Sequence, residues 1–346
     1  MKILSRNNLA IISVVFFVYC LIDGDSGASS NKKYLRNGRG KSFVTVLFTK
    51  KYNNVTSNSK GLCRWLKGMK HQNKLCLNKE GLAEVIVDTR NIAIASCTDN
   101  FQYEQWSCML QKKLFKKVYR ETALLHSLST SAFTYTVAKA CAAGKLENCE
   151  CASHGKSDNP AAWQWGGCGD NTRFARKFAY KFFQLRKKDF VTGDIVQSIL
   201  KYNSGIGIEV VMKYEEKICK CQGFSGSCNY KICVKRIRSF NEIARELKNR
   251  YHSAIQVEPD NSIVQIQKER FDGHLVYLEN SPNFCTTTVG RRCKDADNCA
   301  TLCCGRGFAT SSKTVKEICN PRWRNESIYE VKWDICEREE VVYSCQ

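Results

Sequence analysis

Cysteine is the feature that most limits how this chain folds. The sequence holds 21 cysteines in 346 residues, and all except Cys20 lie beyond residue 60. Cys20 falls in an apolar run, Leu9–Ile22, which follows a basic start and precedes a small-residue stretch near Ala28. This order predicts a cleaved secretory signal peptide at 1–28. A membrane anchor is the alternative, but the run is shorter than the roughly 20 apolar residues that span a bilayer.

Export changes what the other cysteines mean. Those that follow the signal peptide are an even number in a compartment that permits disulfides, so they predict a disulfide framework. The Cys-x-Cys pairs, Cys149 with Cys151 and Cys219 with Cys221, are also conceivable zinc ligands. Disulfides are favoured over zinc because the compartment is oxidising and every partner is at hand.

The chain is strongly basic, with a formal net charge of +21. An exported protein of this charge is attracted to extracellular polyanions, so we expect heparan sulfate as a partner. Nucleic acid, the other polyanion that basic proteins bind, is not expected because the signal and the disulfides place the chain outside the cell. Two sequons, at Asn54 and Asn325, are candidate glycosylation sites.

Apolar spacing predicts helices in much of the first 250 residues. One helical face is predicted to begin at Leu110 and to end at Gly144. A second helix is predicted over 171–188, with its phenylalanines turned inward. A capping-box pattern at Ser239 predicts the start of a third.

The pattern changes beyond residue 259. Strands are predicted at 263–266 and 275–278, and eight cysteines fall in the 61 residues from Cys285 to Cys345. We therefore predict a mostly α-helical N-terminal domain at 29–253, a linker at 254–275 and a small cystine-rich domain at 276–346.

The stretch CKCQGFSGSCNYKIC, at 219–233, places four cysteines around a loop with almost no core residue. Glycines at 223 and 226 give the loop backbone freedom, and Ser225 falls near its tip. One interpretation of Ser225 is a turn serine that hydrogen-bonds its own backbone. Another is a hydrolase nucleophile, since GFSGS approaches G-x-S-x-G; Ser227 replaces the last glycine, however, and no histidine stands in a triad context.

Four stretches together carry a resemblance to a known family. They read CAAGKLENCECASHGKSDNPAAWQWGGCGDN at 141–171, the loop sequence at 219–233, LVYLENSPNFC at 275–285 and CKDADNCATLCCGRGF at 293–308. In this order, in an exported chain, they resemble the Wnt family of secreted lipid-modified signalling proteins. The resemblance implies a disulfide-rich α+β fold, with a disulfide-braced hairpin in the helical domain and a finger-like β-hairpin in the cystine-rich C-terminal domain.

The resemblance also implies how the cysteines pair, and it uses each cysteine beyond the signal peptide once. Cys63–Cys76 remains as the last partnership of the helical domain. The other implied pairs are Cys97–Cys108, Cys141–Cys149, Cys151–Cys168, Cys219–Cys233, Cys221–Cys228, Cys285–Cys304, Cys293–Cys299, Cys303–Cys345 and Cys319–Cys336.

Two expectations about the hairpin follow from this pairing and its surroundings. Cys219–Cys233 and Cys221–Cys228 do not share one antiparallel register, so a bulge or an irregular twist is expected. The aromatic pair Trp163 and Trp165 is expected to pack against the helical domain.

The chain departs from the family between Cys319 and Cys336. The family usually has four more cysteines there, whereas this chain reads NPRWRNESIYEVKWDI and carries the Asn325 sequon. Two disulfides are thus missing as complete pairs. A disulfide typically contributes about 2–4 kcal/mol, so a looser finger is expected.

The resemblance gives a third interpretation of Ser225. The matching serine of the family is O-acylated with palmitoleate by the acyltransferase Porcupine, and no other cofactor is implied. The family commonly has His where this chain has Gln222, but the serine and both neighbouring glycines are kept. Burial of an acyl chain gains about 0.8 kcal/mol per CH₂, enough to dominate receptor affinity.

The function implied is that of a non-enzymatic ligand, secreted into the extracellular matrix and held at membranes by its lipid. The acylated loop, Phe224, Ser225 and Gly226, would enter the cysteine-rich domain of a Frizzled-type receptor. The finger at 320–334, with Trp323 and Trp333, would grip the same domain. An LRP-type co-receptor and the carrier Wntless complete the implied partners. The alternatives are a soluble heparin-binding factor without acylation and a secreted hydrolase that uses Ser225.

Overall fold

The protein is described by a computed structural model that covers residues 42–49, 59–152, 159–160, 162–185, 195–258, 272–324 and 327–346. The predicted signal peptide, the strand predicted at 263–266 and both glycosylation sites, Asn54 and Asn325, lie outside these residues.

The described chain forms helices in its N-terminal part and paired strands towards its C-terminus. The helices are α1 Phe43–Leu47, α2 Ser59–Cys63, α3 Lys70–Asn78, α4 Leu82–Phe101, α5 Arg120–Ala142, α6 Thr172–Phe182, α7 Ile195–Lys213, α8 Phe240–His252 and α9 Ala296–Leu302. The strands are β1 Trp163–Trp165, β2 Glu215–Cys221, β3 Lys231–Ile237, β4 Ile255–Gln256, β5 Val276–Tyr277, β6 Phe308–Arg324 and β7 Ser327–Cys345.

Helix α5 is the centre of the helical part, where it contacts α4, α6, α7 and α8. Small side chains allow this close packing. Gly207 of α7 lies so near α5 that a Cβ there would come within 2.0 Å of the Ser127 carbonyl oxygen. Phe133 of α5 stacks on Phe182 of α6 with 4.4 Å between ring centroids. The main core therefore surrounds α5, and the hairpin of β2 and β3 begins two residues after α7, which packs on it.

The helix predicted from Leu110 begins ten residues later than expected. Residues 112–116 form a short 3₁₀ turn, and α5 begins at Arg120. The backbone is extended at Lys117 and Tyr119, and Val118 between them bonds a distant segment. Its carbonyl accepts from the Leu278 amide at 2.9 Å and its amide donates to Glu279 at 2.9 Å. Tertiary hydrogen bonds override the local helical pattern. The predicted end is confirmed, since Gly144 has φ +65° just past α5.

The other two helix predictions are confirmed with adjusted ends. Helix α6 begins where the Asn171 side chain accepts from the Phe174 amide at 3.0 Å, and it ends at Phe182 rather than near 188. Helix α8 follows Ser239, whose hydroxyl accepts from the Glu242 amide. In both helices a polar side chain satisfies an amide that the first turn leaves free.

The C-terminal part is small and is held by cystines. Its core consists of Leu302 and two adjoining disulfides, Cys293–Cys299 and Cys303–Cys345. From this base β6 and β7 extend as one long antiparallel hairpin, which we call the finger. The fold is thus disulfide-rich α+β, a helical N-terminal part followed by a disulfide-braced hairpin, and the fold prediction is confirmed.

Candidate functional site

The hairpin of β2 and β3 carries the loop that contains Ser225. Its antiparallel ladder is uninterrupted from the Glu215–Ile237 pair to the Cys221–Lys231 pair, and Cys219 lies directly opposite Cys233. The expected bulge is therefore wrong, and the irregular twist offered as its alternative stays a prediction. Cys228 lies beyond the end of the ladder, so Cys221–Cys228 closes the loop without disturbing the strands.

The loop itself is a tight hydrogen-bonded turn. The Gly223 amide donates to the Ser227 carbonyl at 2.8 Å, and the Gly226 amide donates back to the Gly223 carbonyl at 3.0 Å. Between them Phe224–Gly226 forms a single 3₁₀ turn in which Ser225 has φ +56°, a left-handed conformation uncommon for a residue with a side chain. Phe224 is 97% exposed, and Ser225 is exposed beside it. The turn therefore presents a phenyl ring and a hydroxyl to solvent.

Asp170 fixes the base of the hairpin to the helical body. Its carboxylate is fully buried and accepts three hydrogen bonds: from Lys139 of α5 at 2.6 Å, from Arg236 at 3.2 Å and from the Ile237 amide at 2.7 Å. Sequence reasoning missed Asp170, because nothing around it in the chain marks it as the partner of residues on α5 and β3.

An aromatic and basic surface covers one side of the hairpin base. Strand β1 pairs in parallel with β3, which places Trp163 and Trp165 beside the hairpin. The Lys217 ammonium lies 4.0 Å from the Trp163 ring centroid, and the two indoles meet edge to face. The tryptophans thus pack on the hairpin and its lysines, which belong to the predicted helical domain. Cation–π contact of Lys217 with the half-buried Trp163 ring favours this position.

The finger presents a second candidate contact surface. Ile318 and Ile335 face each other across the ladder and are 71% and 72% exposed. Trp333 is 58% exposed and lies two positions along β7 from Ile335, hence on the same face. Sequence reasoning named Trp333 and missed the isoleucines, which strand alternation next to Trp333 would have revealed.

The fingertip beyond this apolar face is irregular. The ladder shifts register between Cys319 and Arg322, and Arg322 donates to Asp334 across the hairpin. This hydrogen bond holds the pKa of the Asp334 carboxyl below its usual value. Trp323 lies in β6, but its side chain is outside what the structure describes.

Ten disulfides brace the described chain. They are the same ten pairs that the family resemblance implies, from Cys63–Cys76 in the helical part to Cys319–Cys336 in the finger. Three cysteine sulfurs, those of Cys293, Cys303 and Cys345, lie within 4.8 Å of one another. Because all three belong to disulfides, this cluster is a cystine core and not a metal site.

Comparison with known proteins decides the family. The family model described as "wnt family" matches residues 65–346, most of the chain. The chain belongs to the Wnt family. The Wnt-4 protein of Drosophila melanogaster is 35% identical over 305 residues, which are 83% of this chain and 56% of that protein. This Wnt therefore spans little more than half the length of that relative.

Vertebrate relatives are matched over most of their length. Wnt-9a of Gallus gallus is 32% identical over 82% of this chain and 86% of its own, and human Wnt-9b is 33% identical over 82% and 85%. Among solved structures, a chain of human WLS in complex with WNT8A matches with a TM-score of 0.56 and 25% identity, over 83% of this Wnt and 99% of that chain.

Family membership settles the enzyme question. Wnt proteins are secreted, non-enzymatic signalling ligands, so the hydrolase interpretation of Ser225 is set aside. His71 bonds the Lys181 carbonyl, and burial lowers the pKa of His126 on α5 to about 4. Both imidazoles belong to the helical body of this Wnt. No helix among the described residues is long and apolar enough to cross a bilayer.

Gly223 gives the first testable prediction about the loop. A Cβ at this position would lie 1.8 Å from the Ser227 hydroxyl and 2.3 Å from the Ser227 carbonyl oxygen, inside the hydrogen-bonded turn. We expect Gly223→Ala to open the turn and to lower the acylation of Ser225 that the family resemblance implies, because an acyltransferase would no longer meet a tightly closed loop. Mass spectrometry of the loop peptide measures the acylated fraction.

Gly167 provides the matched control for this substitution. It also lies near the hairpin, but a Cβ there would meet no atom within 4 Å. Its φ of +72° would be strained for alanine. The control is therefore Gly167→Asn, because asparagine tolerates this conformation better. Equal acylated fractions in the Gly223→Ala and Gly167→Asn variants would contradict the prediction.

Proposed function

We propose that this Wnt is acylated with palmitoleate on Ser225 and that the acyl chain binds the cysteine-rich domain of a Frizzled-type receptor. The observation that carries the proposal is the exposed hydroxyl at the tip of a hairpin braced by two disulfides. A protruding rigid loop suits an enzyme that must reach one serine. It also keeps the attached lipid clear of the protein body, where a receptor groove can take it up.

The energetics favour the lipid as the main source of affinity. At about 0.8 kcal/mol for each buried CH₂, the palmitoleoyl chain supplies on the order of 10 kcal/mol before entropic costs. Phe224 extends the same apolar surface, because it is almost fully exposed beside Ser225. Gly226 follows with φ +78° and turns the chain back towards β3.

The finger would supply a second, smaller contact with the same receptor domain. Its support is the exposed face of Ile318, Trp333 and Ile335. Exposed apolar groups of this kind, rimmed by the Lys316–Glu337 ion pair at 2.9 Å, are typical of protein contact sites. Trp333 stays a proposed receptor contact on this ground, and Trp323 stays one on the family resemblance alone. Receptor binding together with recruitment of an LRP-type co-receptor would be the signal.

Other partners follow from charge and from relatives. A net charge of +21 favours heparan sulfate, and lysines at 217, 231 and 235 place part of that charge on the strands of the hairpin. Because a structure of WLS with WNT8A contains a chain similar to this one, we propose a carrier of the WLS type, with Porcupine as the acyltransferase. Binding to matrix and, through the lipid, to membranes would then confine the secreted protein.

Mass spectrometry of the secreted protein tests the proposal. After reduction and digestion, the peptide spanning 221–233 should carry one palmitoleoyl group, and fragmentation should place it on Ser225. Ser227 in the same loop is the internal control, since it is exposed as well and should stay unmodified. An active secreted protein whose Ser225 is unmodified would refute the lipid mechanism and favour a soluble heparin-binding factor.

A further inference from the structure

Arg291 joins the C-terminal part to the helical body through three hydrogen bonds to main-chain carbonyls. One terminal guanidinium nitrogen, Nη1, donates to Gln105 at 3.0 Å and to Trp106 at 3.3 Å, while Nη2 donates to Gln102 at 2.8 Å. The planar guanidinium can donate to several carbonyl oxygens at once in a fixed geometry, which a lysine ammonium does less well.

The acceptor loop is a natural place for a cation. Helix α4 ends at Phe101 and Gln102 is its C-terminal cap, so the Gln102 carbonyl lacks a partner within the helix and lies at the negative end of its dipole. Arg291 satisfies this carbonyl and also binds the Gln105 and Trp106 carbonyls of the loop that follows. Burial lowers the pKa of Arg291, but arginine keeps its charge in proteins.

The same loop is fixed to the helical body. It lies within the ring closed by Cys97–Cys108, and Trp106 is buried against Phe101 and Tyr251, with ring centroids 4.9 and 5.9 Å away. Whatever binds this loop is therefore held in a defined orientation to α4 and α8.

The main chain of Arg291 is in turn part of the base of the finger. The Cys345 amide at the end of β7 donates to the Arg291 carbonyl at 2.9 Å, and the Gly290 amide donates to the Cys345 carbonyl at 2.9 Å. One residue therefore bonds the finger through its backbone and the helical body through its side chain.

A second attachment of the C-terminal part lies at its start. Asn203 of α7 bonds both the amide and the carbonyl of Val276, at 2.9 and 2.8 Å, and is fully buried. Loss of the Arg291 side chain would leave this attachment in place. Two single amide hydrogen bonds would also remain between α9 and the loop, from Gln105 to the Thr301 carbonyl at 2.7 Å and from Asn298 to the Tyr103 carbonyl at 3.2 Å. Without the three bonds of Arg291 the finger would be held more loosely and could pivot, while both parts stay folded.

We propose that Arg291 is a positioning residue that fixes the direction of the finger relative to the acylated hairpin. At about 3.3 Å per residue, the 19 residues of β7 extend on the order of 60 Å, so a pivot of about 10° at the base moves the fingertip by roughly 10 Å. An effect on signalling rests on the proposed function, in which one receptor domain contacts both the tip of the acylated hairpin and the tip of the finger. Such a domain needs a fixed distance between the two tips.

A distance measurement tests the positioning without any receptor. A ketone-bearing amino acid is introduced by genetic encoding in place of Lys332 of the finger and of Arg173 of α6, which are both exposed, and a spin label is attached to each ketone. We expect one narrow distance distribution in the parent protein, a broad one with Arg291→Ala, and an intermediate one with Arg291→Lys. Arg292→Ala is the matched control, since the neighbouring arginine is exposed, and should stay narrow. Equally narrow distributions in both Arg291 variants and the parent would overturn the proposal.

Receptor binding then shows whether direction matters for function. With the purified receptor domain, Arg291→Ala should weaken affinity by about tenfold or more, as expected when one of two linked contacts is lost. In a Trp333→Ala background, where the finger contact is already removed, Arg291→Ala should cause no further loss. An equal loss in both backgrounds would contradict the positioning role. If no variant and no parent protein binds the receptor domain, the proposed function fails, while the distance measurement still decides the role of Arg291.

Discussion

Ser225→Ala is expected to abolish receptor activation without unfolding the protein. The side chain is exposed at the tip of a turn whose hydrogen bonds are all between main-chain groups of Gly223, Phe224, Gly226 and Ser227. Alanine leaves those bonds and both hairpin disulfides in place. What it removes is the only proposed attachment point of the acyl chain, and with it most of the affinity for the receptor.

The expected size of this effect follows from the lipid. A loss of about 4 kcal/mol, well under half of what the palmitoleoyl chain could supply, already weakens binding about a thousandfold. Binding of the secreted variant to the purified receptor domain, and activation in a reporter cell, measure it. Secretion level and disulfide mapping check that the fold is intact.

Ser227→Ala is the matched control for Ser225→Ala. It removes a second exposed hydroxyl from the same loop and leaves the backbone bonds of the turn unchanged. We expect it to be acylated and active. Normal signalling by Ser225→Ala, or an equal defect in both variants, would show that the hydroxyl of Ser225 is not the attachment point.

The order of cysteines and glycines predicted more of the site than hydrophobic spacing did. The family resemblance that this pattern carries was enough to predict a braced loop with Ser225 near its tip, because it implied the pairs Cys219–Cys233 and Cys221–Cys228 that the structure contains. The regular ladder behind it was not predicted. Cys228 lies beyond the strand end at Cys221, and the position of a strand end depends on pairing with β3 and β1, not on the loop.

Errors elsewhere share one cause, which is bonding between residues far apart in sequence. Leu110 to Val118 follows a helical pattern, yet Val118 bonds Leu278 and Glu279, more than 150 positions away. Arg291 looks like a surface arginine in the sequence, although its side chain bonds a loop that precedes it by some 190 positions. Local helix propensity predicts the structure poorly wherever long-range hydrogen bonds of this kind fix the backbone.

Asp170 is the third residue of this kind, and its replacement has the second largest expected effect. Asp170→Ala leaves the buried Ile237 amide without its acceptor at 2.7 Å, and it leaves Lys139 and Arg236 facing each other without the charge between them. Breaking a buried pair typically costs 3–5 kcal/mol. Because the two cations are 32% and 40% exposed, we expect the lower end, about 3 kcal/mol of unfolding free energy.

Glu216 offers a matched control on the same hairpin. It pairs with Arg238 at 2.7 Å, but both side chains are substantially exposed, so Glu216→Ala should cost only about 0.5 kcal/mol. Urea unfolding of the secreted proteins with disulfides intact measures the difference. Comparable stabilities for the Asp170 and Glu216 variants would show that the buried carboxylate does not anchor the hairpin.

Hydrogen exchange separates a local effect of Asp170→Ala from a global one. If Asp170 anchors the hairpin, the Ile237 amide should lose protection first, while amides in the middle of α5 keep theirs. The hairpin base would then move relative to the helices, and the lipid on Ser225 would no longer be held at a fixed place relative to the finger. Asp170→Asn, which keeps one carbonyl acceptor but no charge, should fall between the parent and the alanine variant in both measurements. If receptor affinity decreases together with the exchange protection of the hairpin amides across these variants, the buried carboxylate supports receptor binding by holding the hairpin in place.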